Sequence, residues 1–160
     1  MGKGFVAVEQ GHVVLVLQPQ GTTTTAALSG ACFDMSSWGH ATILVAGGKG
    51  TAVTAVTVKE CTAATGSGAT AITYRYAKED TAAGDTLDAA LAWASTLSLS
   101  AGSTGVYAVI EVDADELADG YNWVRVDFSA NTAGAPKDLA CFAVLSGGRY
   151  QEDITATVLS

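Results

Sequence analysis

Three features of the sequence predict an all-β domain, either a sandwich or a barrel. Short β-like runs recur along the chain, and clusters of Gly, Ser and Thr separate them at the spacing of such folds. Few segments carry the Leu, Glu, Lys and Arg mix of a surface helix. The 160 residues fit a single domain, and a domain of that size buries roughly 68–70% of its unfolded surface without help from disulfides or metals. With 49% apolar and only 15% charged residues, the chain is too apolar for disorder.

In order, the strands read as His12–Gln18, Ala31–Met35, His40–Ala46, Val53–Cys61, Ala69–Tyr76, Thr96–Ser100, Val106–Val112, Tyr121–Ser129 and Leu139–Leu145. Turn chemistry punctuates them: "PQGTTTT" at 19–25, "GGKG" at 47–50, "TGSG" at 65–68, "SAGST" at 100–104 and "NTAGAP" at 131–136. Within Tyr121–Ser129, alternation puts Val124, Val126 and Phe128 on the core face and Trp123, Arg125 and Asp127 on the outer one. Trp123 beside Arg125 is a candidate subunit interface, because Trp and Arg concentrate at such contacts. The segment "GDTLDAALAWAST" at 84–96 is ambiguous. Leu87 and Leu91 share a helical face and Asp85 can cap it, yet the rest is mostly Ala, so a short helix and an irregular arm fit equally.

The stretch 106–128, "VYAVIEVDADELADGYNWVRVDF", places Glu111, Asp113, Asp115, Glu116 and Asp119 close together. Val106, Ala108, Ile110 and Val112 form one strand face, with Tyr107, Val109 and Glu111 on the other. Asp113 and Glu116 then occupy the N-cap and N3 positions of a capping box, and Gly120 stands where a left-handed residue ends the turn. A calcium loop of the EF-hand kind needs a glycine at its sixth position and a ligand at its twelfth, and neither is present. The corner therefore reads as structural: one helical turn near 113–119 between two strands.

Other chemistry finds no footing. "GGKGT" at 47–51 lacks the first glycine and the Ser or Thr of a phosphate loop, and "GSTG" at 102–105 is not a nucleophile elbow. His12 and His40 lie in strand runs, where a packed or surface histidine is the expected state. A Cys32–His40 nucleophile pair is permitted by the sequence but favoured by nothing in it. Cys32, Cys61 and Cys141 are odd in number and widely spaced, which points to buried free thiols in a reducing compartment. No catalytic residue, cofactor site or metal site is expected. A formal charge of −8, with sparse Lys and Arg, speaks against nucleic acid and fits solubility or docking on a basic patch of another protein. The run "VVLVL" is far too short to span a membrane. Glu9 and His12 interrupt the N-terminal apolar run, so a strand is expected there rather than a signal peptide, and Val6 breaks a myristoylation signal.

The order of elements "AITYRYAKE", a Trp-bearing stretch, "YAVIEVDADELADGYNWVRVDFS" and "ACFAVLSGGRY" resembles the capsid decoration, or cement, proteins of tailed bacteriophages, over residues 34–150. The resemblance implies a jelly-roll-like β-sandwich and no catalytic residues. It also implies attachment to the major capsid protein on the outside of the virion head, after synthesis in the host cytoplasm. The reading is thus one antiparallel β-sandwich of jelly-roll type, acting as a homo-oligomer, a trimer ahead of a dimer. A carbohydrate- or receptor-binding module, with Trp38, Trp93 or Trp123 stacking on sugar rings, is the second reading, and a hydrolase with a cryptic site the third. Residues 31–150 are expected to form the core. Residues 1–30, with one strand and a threonine tract, and residues 151–160, with alternating Ile154, Ala156 and Val158, are expected to be arms. Ile154 and Val158 join Trp123 and Arg125 as interface candidates, since β-competent ends beyond a finished sandwich need a partner to cover them.

Overall fold

The runs rich in Val, Ile, Thr and aromatic residues become twelve strands among the described residues. The computed structural model describes residues 10–20, 26–48, 52–79, 87, 92–100, 105–130 and 138–148. The strands are β1 (Gly11–Leu17), β2 (Leu28–Ser29), β3 (Phe33–Asp34), β4 (Trp38–Gly47), β5 (Ala52–Cys61) and β6 (Thr70–Ala71). They continue as β7 (Tyr74–Glu79), β8 (Ala92–Ala94), β9 (Leu97–Ser100), β10 (Val106–Asp113), β11 (Trp123–Phe128) and β12 (Leu139–Gly148).

One sheet has the order β1-β12-β4-β10-β7-β8. The other has the order β2-β11-β5-β6, with β3 also on β11 and β9 also on β5. Every pairing is antiparallel. The last strand enters between the first and the fourth, and the eleventh between the second and the fifth. This interleaving is that of a double-sheet jelly roll, as expected, with the β7–β8 hairpin added to one edge.

Alternation fills the space between the sheets. Val14 and Val16 of β1, Ile43 and Val45 of β4, Ile110 and Val112 of β10, and Cys141 and Leu145 of β12 point inward from the first sheet. Val56 and Val58 of β5 and Val124, Val126 and Phe128 of β11 meet them from the second. Each such side chain contributes about 1.5–3 kcal/mol of transfer free energy. Tyr74 crosses the interior, and its hydroxyl donates to the carbonyl of Val56 at 2.6 Å, so the one buried polar atom it brings is satisfied.

The strand expected over Ala69–Tyr76 is in fact two. Thr70–Ala71 pairs with β5, whereas Tyr74–Glu79 pairs with β10 of the opposite sheet. Residues 72–73 make the crossing, which an unbroken β-favourable run does not advertise. In the ambiguous segment, Ala92–Ala94 is an edge strand against β7 rather than helix, while residues 84–86 and 88–91 lie outside the described residues.

The expected division between core and arms is corrected at the N-terminal side. Gly11–Leu17 pairs with β12 from Gly11↔Ser146 to Leu17↔Cys141, and Val14 and Val16 are each 2% exposed. Leu28–Ser29 pairs with β11, and the amide of Ala31 donates to the carbonyl of Val16 at 2.7 Å. The inner face of β12 needs cover from a neighbouring strand, and β1 supplies it, so this segment belongs to the core. The threonine tract at 22–25 and residues 151–160, including Ile154 and Val158, lie outside the described residues.

A chain lacking residues 1–17 is expected to lose its cooperative thermal transition. The buried side chains of Val14, Val16 and Leu17, at about 1.5–3 kcal/mol each, rival a whole domain's stability of about 5–15 kcal/mol. Melting followed by circular dichroism checks this, and a truncated chain that melts with the full-length protein would return β1 to the status of an arm.

Candidate functional site

The acidic stretch organises one end of the first sheet's outer face. On β10, Glu111 stands opposite Thr42 and Asp113 opposite His40, both on β4. His40 is therefore held between two carboxylates, with Nε2 2.7 Å from Glu111 Oε2 and Nδ1 2.5 Å from Asp113 Oδ1. The Thr42 hydroxyl also donates to Glu111 Oε2, at 2.8 Å. From the other side of β10, Arg75 of β7 donates to Asp113 Oδ2, and its guanidinium lies 3.9 Å from Glu116 Oε1.

The capping box expected of Asp113 and Glu116 is present, with the Asp113 amide donating to Glu116 Oε2 at 3.0 Å. The helical turn it starts is a single 3-10 turn, Ala114–Glu116. A second turn follows, in which the Tyr121 amide donates to the carbonyl of Ala118 at 2.9 Å and Gly120 takes a φ of +84°. Glu111, Asp113 and Glu116 thus have structural partners, in keeping with the reading of a corner. Among the described residues, no group of three His, Cys, Asp or Glu is arranged to hold a metal ion.

With a carboxylate against each ring nitrogen, His40 is fully satisfied only as an imidazolium. Burial draws its pKa down, but the hydrogen bonds and charges of Asp113 and Glu111 outweigh that and leave it above the ordinary value of 6.5. In this state His40 stores a proton and ties β4 to β10; it has no free lone pair with which to act as a base. Cys32 lies beside β3 in the other sheet, so the Cys32–His40 pair does not form.

The second sheet's outer face is polar and partly roofed. Arg125 on β11 pairs with Asp127, with Nε 2.9 Å from Oδ1, and Lys59 of β5 lies 2.9 Å from Asp127 Oδ2. Burial raises the Asp127 pKa, but hydrogen bonds from Lys59, Arg125 and Ser29 outweigh it and leave that carboxyl below its ordinary value. The loop after β5 closes over this group. Gly66, at φ +78°, lies so close that a Cβ there would collide with the Arg125 guanidinium.

Cys32 and Cys61 are buried beneath the same loop as neighbouring free thiols, in line with the sequence reading. Burial pushes the Cys61 thiol up to about 11 and Cys141 up to about 12, so both are protonated near neutrality and inert as nucleophiles. Of the interface candidates, Trp123 is half-buried, and Arg125 is tied to Asp127 with only 19% of its side chain exposed.

The first sheet's outer face is different. Register aligns Leu15, Phe142, Leu44 and Val109 in one row across β1, β12, β4 and β10. Leu15 is 43% exposed, Leu44 41% and Phe142 36%, and Val13 in the next row is 54% exposed. Ala46 and the half-buried Ala140, Val144 and Tyr107 extend this apolar surface. Sequence reasoning overlooked it, although a signal was present: "VVLVL", "ATILVA" and "CFAVL" are apolar on both strand faces, the mark of a sheet covered on both sides. Beyond Arg75, at the sheet's edge, Trp93 is 61% exposed and carries the Arg75 guanidinium carbon 5.7 Å from its ring centroid. Trp38, by contrast, is buried.

No protein-family model and no curated protein matches the chain. Among solved structures, the crystal structure of the SPBc2 prophage-derived protein YomS is similar, with a TM-score of 0.54 and 10% sequence identity. The match covers 89% of this chain and 98% of that one. At such identity the likeness is one of fold.

The His40 cluster has a measurable consequence. A histidine whose folded pKa is raised adds stability that is fully present below its unfolded value and is lost as pH rises through the folded one. The melting temperature should therefore fall as pH rises above 6.5, through the raised pKa of His40, and His40→Gln should flatten that fall. The Asp127 contribution lies elsewhere, because a lowered carboxyl loses its stability only as pH drops below 3.8. A fall of equal size in the His40→Gln chain would show that the two carboxylates do not hold the proton there.

Proposed function

We propose that the chain is a non-enzymatic structural protein of a tailed-phage virion, docking on the outer surface of the icosahedral head and stabilising it at capsomer boundaries. The observation that carries this reading is the first sheet's outer face, a shallow apolar surface with Leu15, Phe142 and Leu44 in one exposed row. The largest contiguous apolar patch on a typical monomer, about 300–600 Å², is often functional. Such a patch is worth on the order of 10 kcal/mol gross at about 25 cal/mol per Å², which is comparable to the ~4–15 kcal/mol lost in association. One copy therefore binds weakly. Many copies repeated over a symmetric shell, joined as a homo-oligomer, bind firmly.

Two further points support the reading. The jelly-roll fold is shared with a prophage-derived protein. The reactive groups are also committed, His40 to two carboxylates and Cys61 and Cys141 to buried protonated thiols, which favours adhesion over catalysis. The major capsid protein is the partner this reading names, and a trimer at local threefold positions is the preferred oligomer, with a dimer next.

The test is cosedimentation with expanded heads of the phage that encodes the chain. Wild-type protein should pellet with the heads, and Leu44→Asp or Phe142→Asp should weaken that by at least about tenfold, since a carboxylate buried in an apolar contact costs well over 1.4 kcal/mol. Both residues are substantially exposed, so the melting temperatures should change little. Wild-type protein left in the supernatant, or Leu44→Asp pelleting unchanged, would count against the proposal.

A further inference from the structure

A groove of about 480 Å³ opens at the end of the sandwich, between Trp93 and the turn after Asp113. Ile72 and Leu117 supply its apolar lining, Thr73 a hydroxyl, and Glu60 and Glu116 two carboxylates. Its volume is that of a small-ligand site, about 300–1,000 Å³. We propose that this groove receives the cationic side chain, lysine or arginine, of a partner polypeptide. As a head contact the proposal rests on the preceding reading; as a binding site it does not.

Three observations converge on that guest. The first is Glu60, which closes the inner-face series of β5 after Val56 and Val58 and is only 6% exposed. Its Oε2 accepts the Ala118 amide at 2.8 Å, and no cation pairs with it among the described residues. A carboxylate this deep gains most from a counter-charge that arrives already surrounded by apolar walls.

The second is Trp93. Its ring already lies beneath one guanidinium, that of Arg75, so the geometry of the edge suits cation–π contact. The third is the local charge. Glu60, Glu111, Asp113 and Glu116 outnumber Arg75 and His40, on a chain of net charge −8. A basic side chain is drawn in over roughly a Debye length of 8–10 Å.

Hydrogen-bond complementarity separates this guest from a sugar, which an exposed Trp also attracts. Sugar hydroxyls both donate and accept, and so call for a mixed set of partners. The two charged side chains of the groove only accept, and lysine and arginine only donate.

The test uses N-acetyl-lysine amide and N-acetyl-arginine amide as probes, titrated into the full chain and followed by NMR at the Ala118 amide and the Trp93 indole N–H. Both probes should shift both signals saturably, and added salt should weaken them. Glu60→Gln keeps the acceptor for Ala118 and removes the charge, so it should weaken binding by about tenfold, a loss of ~1.4 kcal/mol. Trp93→Ala, followed at Ala118, should weaken it by a similar factor. Circular dichroism confirms that each variant is folded.

N-acetyl-norleucine amide binding as well as the lysine probe would overturn the proposal, by showing that the groove selects only apolar bulk. Methyl glucoside binding that Glu60→Gln leaves intact would overturn it in favour of a sugar platform, and the absence of any saturable shift would overturn it outright. A chain that takes the lysine probe but ignores phage heads keeps the groove and loses the head-docking reading alone. Glu60→Gln protein that pellets with heads as the wild type does would overturn the groove as a head contact.

Discussion

The ladder that seats β12 between β1 and β4 is the constraint on which the rest of the molecule depends. It joins the last described strand to the first and fourth, with Leu139↔Gly47 through Gly148↔Trp38 on one side and Gly11↔Ser146 through Leu17↔Cys141 on the other. Backbone groups in the middle of a sheet have no water to turn to, so this register is held by every amide along it. It also sets both faces at once. Cys141, Ala143 and Leu145 enter the core, and Phe142 is thereby fixed outward between Leu15 and Leu44. A one-residue slip would invert every one of those assignments. Because these partners are far apart in sequence, loop closure precedes their contact, and a topology so rich in non-local pairs folds in the slow part of the range.

The two outer faces divide the labour between them. A loop partly covers the second sheet's outer side, where Arg125, Asp127 and Lys59 pair among themselves over buried thiols, of which Cys61 is too weakly acidic to react near neutrality. Among the described residues, the first sheet leaves its apolar side open and confines its charges to one end, where Glu111 and Asp113 hold His40 and Arg75. Beside that charged end lies the groove with Trp93 and Glu60. For the proposed docking, a flat apolar face and a localised anionic slot would be complementary. The first supplies area without direction, and the second supplies orientation through charge and hydrogen bonding.

Much of the fold was legible one strand at a time. Alternation in Tyr121–Ser129 assigned Val124, Val126 and Phe128 to the core correctly, because period-2 patterning is a local property of a pleated backbone. The corner at 113–116 was also legible, since a capping box is decided by residues three positions apart. Chain-crossing events were not. Ala69–Tyr76 reads as one strand because nothing local marks where residues 72–73 leave one sheet for the other. Likewise, β1 reads as an arm because its need for β12 is invisible from either segment alone.

Composition and periodicity settled the class of the protein: all-β, acidic, with three buried free thiols and an acidic corner built for capping. The candidate surfaces came from juxtaposition. Strands apolar on both faces are plain in "VVLVL", "ATILVA" and "CFAVL", but their gathering into one sheet follows from the order β1-β12-β4. His40 finds Glu111 and Asp113 across more than seventy positions, and Glu60 reaches the Ala118 amide across 58. Local spacing governs backbone dihedrals and the face a side chain takes. Which faces meet, and which are left open to a partner, depends on long-range pairing, where the free energy of closing the sandwich outweighs the preferences of any single segment.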